Sequence, residues 1–238
     1  MRVAVKLMRD GSFIAGSKTM DSEMQAAFKL VLGLLNPAVF WDVGANIGFY
    51  SWMVRAHPSV REVVMFEPDP TNFALINRTI RKNAINDCRA LQIALSDSCG
   101  KCEFVVDHAS GTTGAIKSSA QGAGKNLFHN KYQLQETISC ATATMDSLLA
   151  DGFTPPGLVK IDVEGAERLV LAGADLCLTK HHPTLIVETY KEPVIARLTE
   201  MGYRAFQIDP ADILFLPAHA AIDFARVSAV FPERPKSR

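Results

Sequence analysis

The 238-residue sequence has no excess charge of either sign: 25 Lys and Arg stand against 25 Asp and Glu. Without a field of one sign nothing draws in a polyanion, so a nucleic-acid partner is disfavoured. It has no apolar run of the ~18 residues that a membrane-spanning helix needs. The nearest stretch, residues 26–41, is interrupted by Lys29, Asn36 and Pro37. Residues 1–16 alternate apolar and polar side chains around Arg2, Lys6 and Arg9, and lack the apolar core and small-residue cleavage site of a secretory signal. Cysteines are few: five, an odd number in a chain too long to need a disulfide framework. Cys99 and Cys102 form a CxxC, but no second CxxC or spaced histidine pair follows it. A zinc or redox role is therefore weakly signalled, and the motif reads as a tight turn between strands. The expectation is a cytoplasmic protein.

What is present is an alternation of short apolar runs and helical patterns. Strands are expected at 38–43, 62–66, 90–95, 101–106, 137–141, 158–162 and 184–188. Helices are expected between them at 47–56, 70–83, 166–178 and 193–201, the third broken near Gly173, with Pro70 well placed at a helix start. Residues 203–208 and 213–216 read as a closing antiparallel pair. This order implies an α/β fold, a mostly parallel sheet with helices on both faces. Ahead of it, residues 1–36 read as an extension: a hairpin around Asp10 and Gly11, then a helix capped by Asp21 that packs on the core or serves as a dimer face. Residues 37–231 form the main domain, and 232–238 a polar tail. Within it, residues 107–135 are rich in Gly, Ser, Thr and Ala, and read as a lid over substrate.

In parallel sheets, ligands bind beyond the carboxyl ends of the strands. The residues there are mostly acidic or small: 42–48, 67–69, 96–97, 162–165 and Glu188. Gly44 and Gly48 allow close approach of a ligand to the backbone. Glu67 ends the next strand, where a carboxylate accepts both hydroxyls of a ribose. Together they predict a nucleoside cofactor. The string Gly44-Ala-Asn-Ile-Gly48 lacks the G-x-G start of a dinucleotide fingerprint, and Asp42 would repel a pyrophosphate. An acid at the bend suits S-adenosylmethionine, with its sulfonium and ammonium and no phosphate. An NAD-linked oxidoreductase is the alternative enzyme, and a non-catalytic cofactor-binding protein the alternative class.

The residues also resemble a family. Asp42-Val-Gly-Ala-Asn-Ile-Gly48, Phe66-Glu-Pro68, Ala94-Leu-Ser-Asp97, Met145-Asp-Ser-Leu148 and Lys160-Ile-Asp-Val-Glu-Gly-Ala-Glu167 occur in this order. Over residues 39–217 the chain resembles the FkbM family of S-adenosylmethionine-dependent methyltransferases. The resemblance implies a Rossmann-like class I methyltransferase with a seven-stranded sheet, acting on hydroxyls of sugars, glycolipids or natural products. It implies that Asp42, Gly44, Asn46 and Gly48 line the methionine side of the cofactor, that Glu67 holds the ribose, and that Ala94, Leu95 or Ser96 lie near the adenine. Asp162 would face the methionine end or the reacting centre.

Asp162, Glu164 and Glu188 are the candidate catalytic residues, with Glu167 nearby. Three readings of these carboxylates are open. They position a polyhydroxylated acceptor and deprotonate one hydroxyl. They bind a hard divalent cation such as Mg²⁺, a reading not favoured. Or they are structural, with Glu164 or Glu167 capping helix N–H groups and Glu188 paired to a base. His108 and His129, flanking the proposed lid, are further base candidates. His181 and His182 precede a strand and belong at the opposite edge. Trp41 and Trp52 read as core.

Overall fold

A computed structural model describes residues 1–3, 22–108, 114–120, 135–189 and 191–234. The expected hairpin, the Asp21 cap, most of the proposed lid with His129, and the last residues of the tail lie outside the described residues.

The architecture grows from β1 (Val39–Val43), whose five residues are all buried. A strand buried on both faces reads as a continuous apolar run, and Asp42 is the single acidic exception. β1 pairs in parallel with β2 (Glu62–Phe66) on one side and with β8 (Leu158–Ile161) on the other. Beyond them lie β3 (Cys88–Leu91), β9 (Thr184–Glu188), β10 (Tyr203–Gln207) and β11 (Asp212–Pro217). The sheet order is β10-β11-β9-β8-β1-β2-β3, seven strands, with β11 antiparallel to both of its neighbours. The mostly parallel sheet and its closing antiparallel pair match the sequence pattern.

Helices cover both faces. Trp41, Val43, Phe66, Ile161 and Val187 pack on one side against the helices Met145–Ala150, Glu167–Ala172 and Glu192–Glu200. Phe40, Met65 and Leu214 pack on the other against Ser22–Leu35, Phe49–Arg55 and Pro70–Lys82. The helix Ser22–Leu35 sets Phe28 edge-on to Phe40 and stacked on Tyr50. Asp69 caps the helix Pro70–Lys82 by accepting from the N–H groups of Thr71 and Asn72.

One expectation is corrected. The strand expected over 90–95 is two strands in two sheets. β3 ends at Leu91, Gln92 is exposed, and β4 (Ile93–Leu95) leaves the main sheet. It pairs in parallel with β7 (Gln135–Ala143), which pairs antiparallel with β5 (Gly100–Asp107); β6 (Ala115–Ile116) completes the order β4-β7-β5-β6. A single polar residue in an apolar run carries no signal of a change of sheet.

Gly173, the expected break, follows the helix Glu167–Ala172. A Cβ there would sit 2.1 Å from the Ser96 carbonyl oxygen, so the small residue lets this helix press on the end of β4.

Candidate active site

The strand order reverses between β1 and β8, and their carboxyl ends open a cleft. Its floor begins at Gly44, with φ +81°. A Cβ on Gly44 would lie 1.8 Å from the Asp162 carbonyl oxygen, so the turns after β1 and β8 touch here only because the residue is glycine. The N–H groups of Gly44 and Ala45 both donate to the Phe66 carbonyl, 3.0 and 3.1 Å away, tying the bend to β2.

Glu67 sits at the rim, 5% exposed. It accepts from the backbone N–H of Asn46 at 2.7 Å and of Asp69 at 2.8 Å. Two fixed donors therefore hold the carboxylate in one orientation. Asn46 adopts φ +55°, which aims its N–H at Glu67. The apolar wall is built by the second sheet: Ile93, Ala94 and Leu95 from β4, Phe104 from β5 and Ile116 from β6.

Beyond Gly44 the cleft reaches Asp162, Val163 and Glu164. Glu164 is held at φ +50°, a left-handed backbone that costs a non-glycine residue about 1 kcal/mol or more. Burial, followed by the charges of Asp162 and Glu167, pushes its carboxyl up to about 7. Below it, Lys160 Nζ lies 2.6 Å from Asp162 Oδ2, with the lysine side chain only 3% exposed. Lys160 stands beside Asp42 in the β1–β8 register.

The structure thus brings together Gly44, Asn46, Glu67, Ala94, Leu95, Asp162 and Glu164 along one cleft. Asp42, Gly48, Ser96 and Glu188 do not line it. Asp42 is buried beneath the floor and accepts from Ser51 Oγ at 2.6 Å. Gly48 caps the helix Phe49–Arg55 at φ +81°, and the Trp52 ring lies where its Cβ would be. Ser96 is buried and donates its N–H to the Ala143 carbonyl. Glu188 follows Val187, the register partner of Ile161, so its carboxyl stands beside that of Asp162, and this neighbour raises it well above the usual carboxylate range. Its partner is an acid rather than the base that the structural reading supposed. Glu167 is anchored locally, accepting from Gly165 N–H at 2.6 Å with Lys191 Nζ 3.4 Å away.

The remaining candidates lie elsewhere. His108 is 2.9 Å from Glu136 on the surface. His181 and His182 line a separate cavity with Pro37 and Gly157, at the amino edge of the sheet, as expected. Cys102 faces Cys140 across β5 and β7 with the sulfurs 3.3 Å apart, while Cys99 is exposed. Reasoning from sequence flagged Asp69 with the strand end 67–69 but missed Asn72, Phe104 and Ile116 in the lining, and Lys160 beneath it. The apolar pattern of 101–106 announced a strand, but nothing announced the cleft that it faces.

A doubly wound seven-stranded sheet with one reversed strand, and an acidic cleft at its switch point, defines a class I methyltransferase fold. The chain matches the model of the methyltransferase FkbM domain over residues 42–205 and belongs to that family. It is 27% identical over 176 residues to methyltransferase sdnD of Sordaria araneosa, covering 66% of this chain and 67% of that one. It is 30% identical over 136 residues to the hexuronic acid methyltransferase AglP of Haloferax volcanii, 57% of this chain and 49% of the other. It is 31% identical over 156 residues to the 31-O-demethyl-FK506 methyltransferase FkbM of Streptomyces tacrolimicus, 58% and 59% of the two chains. The chain thus spans about half to two thirds of the length of these relatives. In fold it is similar to the crystal structure of methyltransferase FkbM from Methylobacillus flagellatus, with TM-score 0.51, 16% identity, and coverage of 76% of this chain and 44% of that one. Among the described residues no helix is long and apolar enough to cross a membrane. Nor is any group of three or more His, Cys, Asp or Glu among them arranged to hold a metal ion.

Proposed function

We propose that this chain methylates a hydroxyl oxygen of a polyhydroxylated small molecule, a sugar or natural product, with S-adenosylmethionine as donor. The observation that carries this reading is the charge of the cleft. Glu67, Asp69, Asp162 and Glu164 line it, and no Lys, Arg or His does so among the described residues. That lining opposes a pyrophosphate and suits a cofactor bearing a sulfonium, an ammonium and a ribose. The anchored Glu67 fits the ribose hydroxyls, Ile93, Phe104 and Ile116 offer an apolar wall to the adenine, and Gly44 leaves the floor low enough for the methionine portion. When bound, the cofactor supplies an electrophilic methyl group.

The protein's part is to orient the acceptor and take its proton. This reading assigns that step to Glu164. It lines the cleft past Asp162, and a carboxyl near 7 is a usable base at neutral pH. Relatives named for methylation of a hexuronic acid and at an oxygen of FK506 support a hydroxylated acceptor.

The first test is titration calorimetry with S-adenosylmethionine, S-adenosylhomocysteine and NAD in parallel. Micromolar binding of the first two and none of NAD is expected; binding of NAD alone would overturn the reading. A panel of neutral and acidic sugars, read by mass gain of one methyl, then finds the acceptor. Replacing Glu67 with Ala is expected to weaken S-adenosylmethionine binding by ~1–3 kcal/mol, the loss of a charge-assisted hydrogen-bonded pair. Unchanged affinity in the folded variant would remove Glu67 from the site.

A further inference from the structure

Beneath the cleft and at its edge lies a group of charges of which the proposed reaction uses only Glu164 directly. Lys160 is buried between two acids. Its ammonium touches Asp162 at 2.6 Å, stands in register beside Asp42, and lies 4.8 Å from the centre of the Tyr50 ring. Asp162 follows Ile161, whose register partner Val187 precedes Glu188, so the two carboxyl groups stand side by side, and Glu188 pairs in turn across β9 and β11 with Asp212. Glu164 follows two residues after Asp162. The Lys160 charge acts on five carboxyl groups, those of Asp42, Asp162, Glu164, Glu188 and Asp212, and they cannot all be ionised in so little water.

Resting on the methyltransferase reading, we infer that Lys160 is a positioning residue that keeps Asp162 ionised at the cleft while Glu188 carries the proton of the pair. This fixed negative charge favours the cationic S-adenosylmethionine over its neutral product S-adenosylhomocysteine.

The geometry points this way. Two carboxyl groups set side by side at neighbouring strand ends cannot both ionise readily and so hold one proton between them. Asp162 alone of the pair has an ammonium at hydrogen-bonding distance, so the proton goes to Glu188. Burial works against ionised Asp162, but the Lys160 charge, the neighbouring Glu188 carboxyl and the Lys160 hydrogen bond together hold it below its ordinary range. Burial likewise works against charged Lys160, and Asp162 and Asp42 outweigh it. Asp42 itself is raised by burial, with Lys160 and Ser51 opposing. Asp212 is pushed up by burial to about 7. A third of the Asp162 side chain remains exposed, so its charge is presented to the cleft rather than sealed away.

Carbon-13 titration of labelled Asp and Glu carboxyl groups in the ligand-free protein tests the assignment. Asp162→Asn and Glu188→Gln identify the two resonances. At neutral pH the Glu188 signal should report a protonated carboxyl and the Asp162 signal an ionised one. Both ionised, or the proton on Asp162, would overturn the inference, and this reading needs no Lys160 variant to fold. In Lys160→Met, Asp162 should take up a proton at neutral pH. The preference for S-adenosylmethionine over S-adenosylhomocysteine in calorimetry should fall by about tenfold. A merely structural lysine would weaken both ligands alike; an unchanged ratio in folded Lys160→Met overturns the cofactor-selecting role. If the wild-type chain binds neither ligand, the methyltransferase reading falls and the selecting role with it, while the titration alone still decides where the proton sits.

Discussion

Replacing Glu164 with Gln should cut methyl transfer by ~10²–10⁴-fold in kcat, the usual worth of a positioned general base, while leaving S-adenosylmethionine affinity nearly intact. The side chain keeps its size and its place on the strained turn, so the change removes basicity and little else. In the wild type the rate should climb as the pH rises through about 7, because the base acts only once its raised carboxyl has lost its proton. The variant should lose that limb. Full activity in Glu164→Gln would move the base elsewhere. Stability follows the opposite slope. Native Glu164 holds its proton to about 7, against 4.5 for an ordinary glutamate, so the native state binds more protons between those values. Stability is then lost as the pH rises through this window, and urea midpoints should show a shallower fall in Glu164→Gln. The residue lowers the stability of the fold at the pH where it is useful, which is what a functional group held in a strained backbone leads one to expect.

Gly44→Ala should have the largest effect on folding. The new methyl would lie 1.8 Å from the Asp162 carbonyl oxygen, and φ +81° is unfavourable for alanine before any contact is counted. The backbone penalty of ~1–2 kcal/mol and an overpacking cost of ~1–3 kcal/mol add to a loss of several kcal/mol. Relief would require β1 and β8 to move apart at their carboxyl ends, which opens the cleft floor. Gly33 provides the control. It sits in the helix Ser22–Leu35 with nothing within 4 Å of its would-be Cβ. Gly33→Ala should therefore stabilise by ~0.5–1 kcal/mol. Chemical denaturation of both variants checks the contrast; equal midpoints would mean that the approach of the two turns is not tight.

The main sheet was legible because buried parallel strands announce themselves as short apolar runs, each ending in a small or acidic residue. Those ends put Gly44, Glu67, Asp162 and Glu164 in one region on sequence pattern alone, and all four line the cleft. The split after Leu91 was not legible, since Ala90 to Leu95 is apolar apart from Gln92 and either sheet satisfies it. Nor was the partner of Asp42. A lysine in Leu158-Val-Lys-Ile161 looks like a strand residue facing water, and only the β1–β8 register sets it beside a buried acid. Register between strands so distant in sequence is a tertiary property, absent from local pattern. Glu188 shows the same limit: its strand-end position was readable, but its place beside Asp162 depends on the β8–β9 register.

The pairing of Phe40 with Leu158 also bears on how the molecule assembles. β1 and β2 are near neighbours in the chain and pair cheaply, whereas β8 arrives only after the whole second sheet has been threaded. Closing so long a loop costs entropy before any contact repays it. The half of the cleft holding Gly44 and Glu67 can thus be assembled early, and the half holding Asp162 and Glu164 late. Substitutions in β8 should act mainly on the unfolding rate, and those in β1 and β2 more on the folding rate. The cleft then exists only in the last-formed state of the chain, so its ligands bind a finished protein and hold it closed.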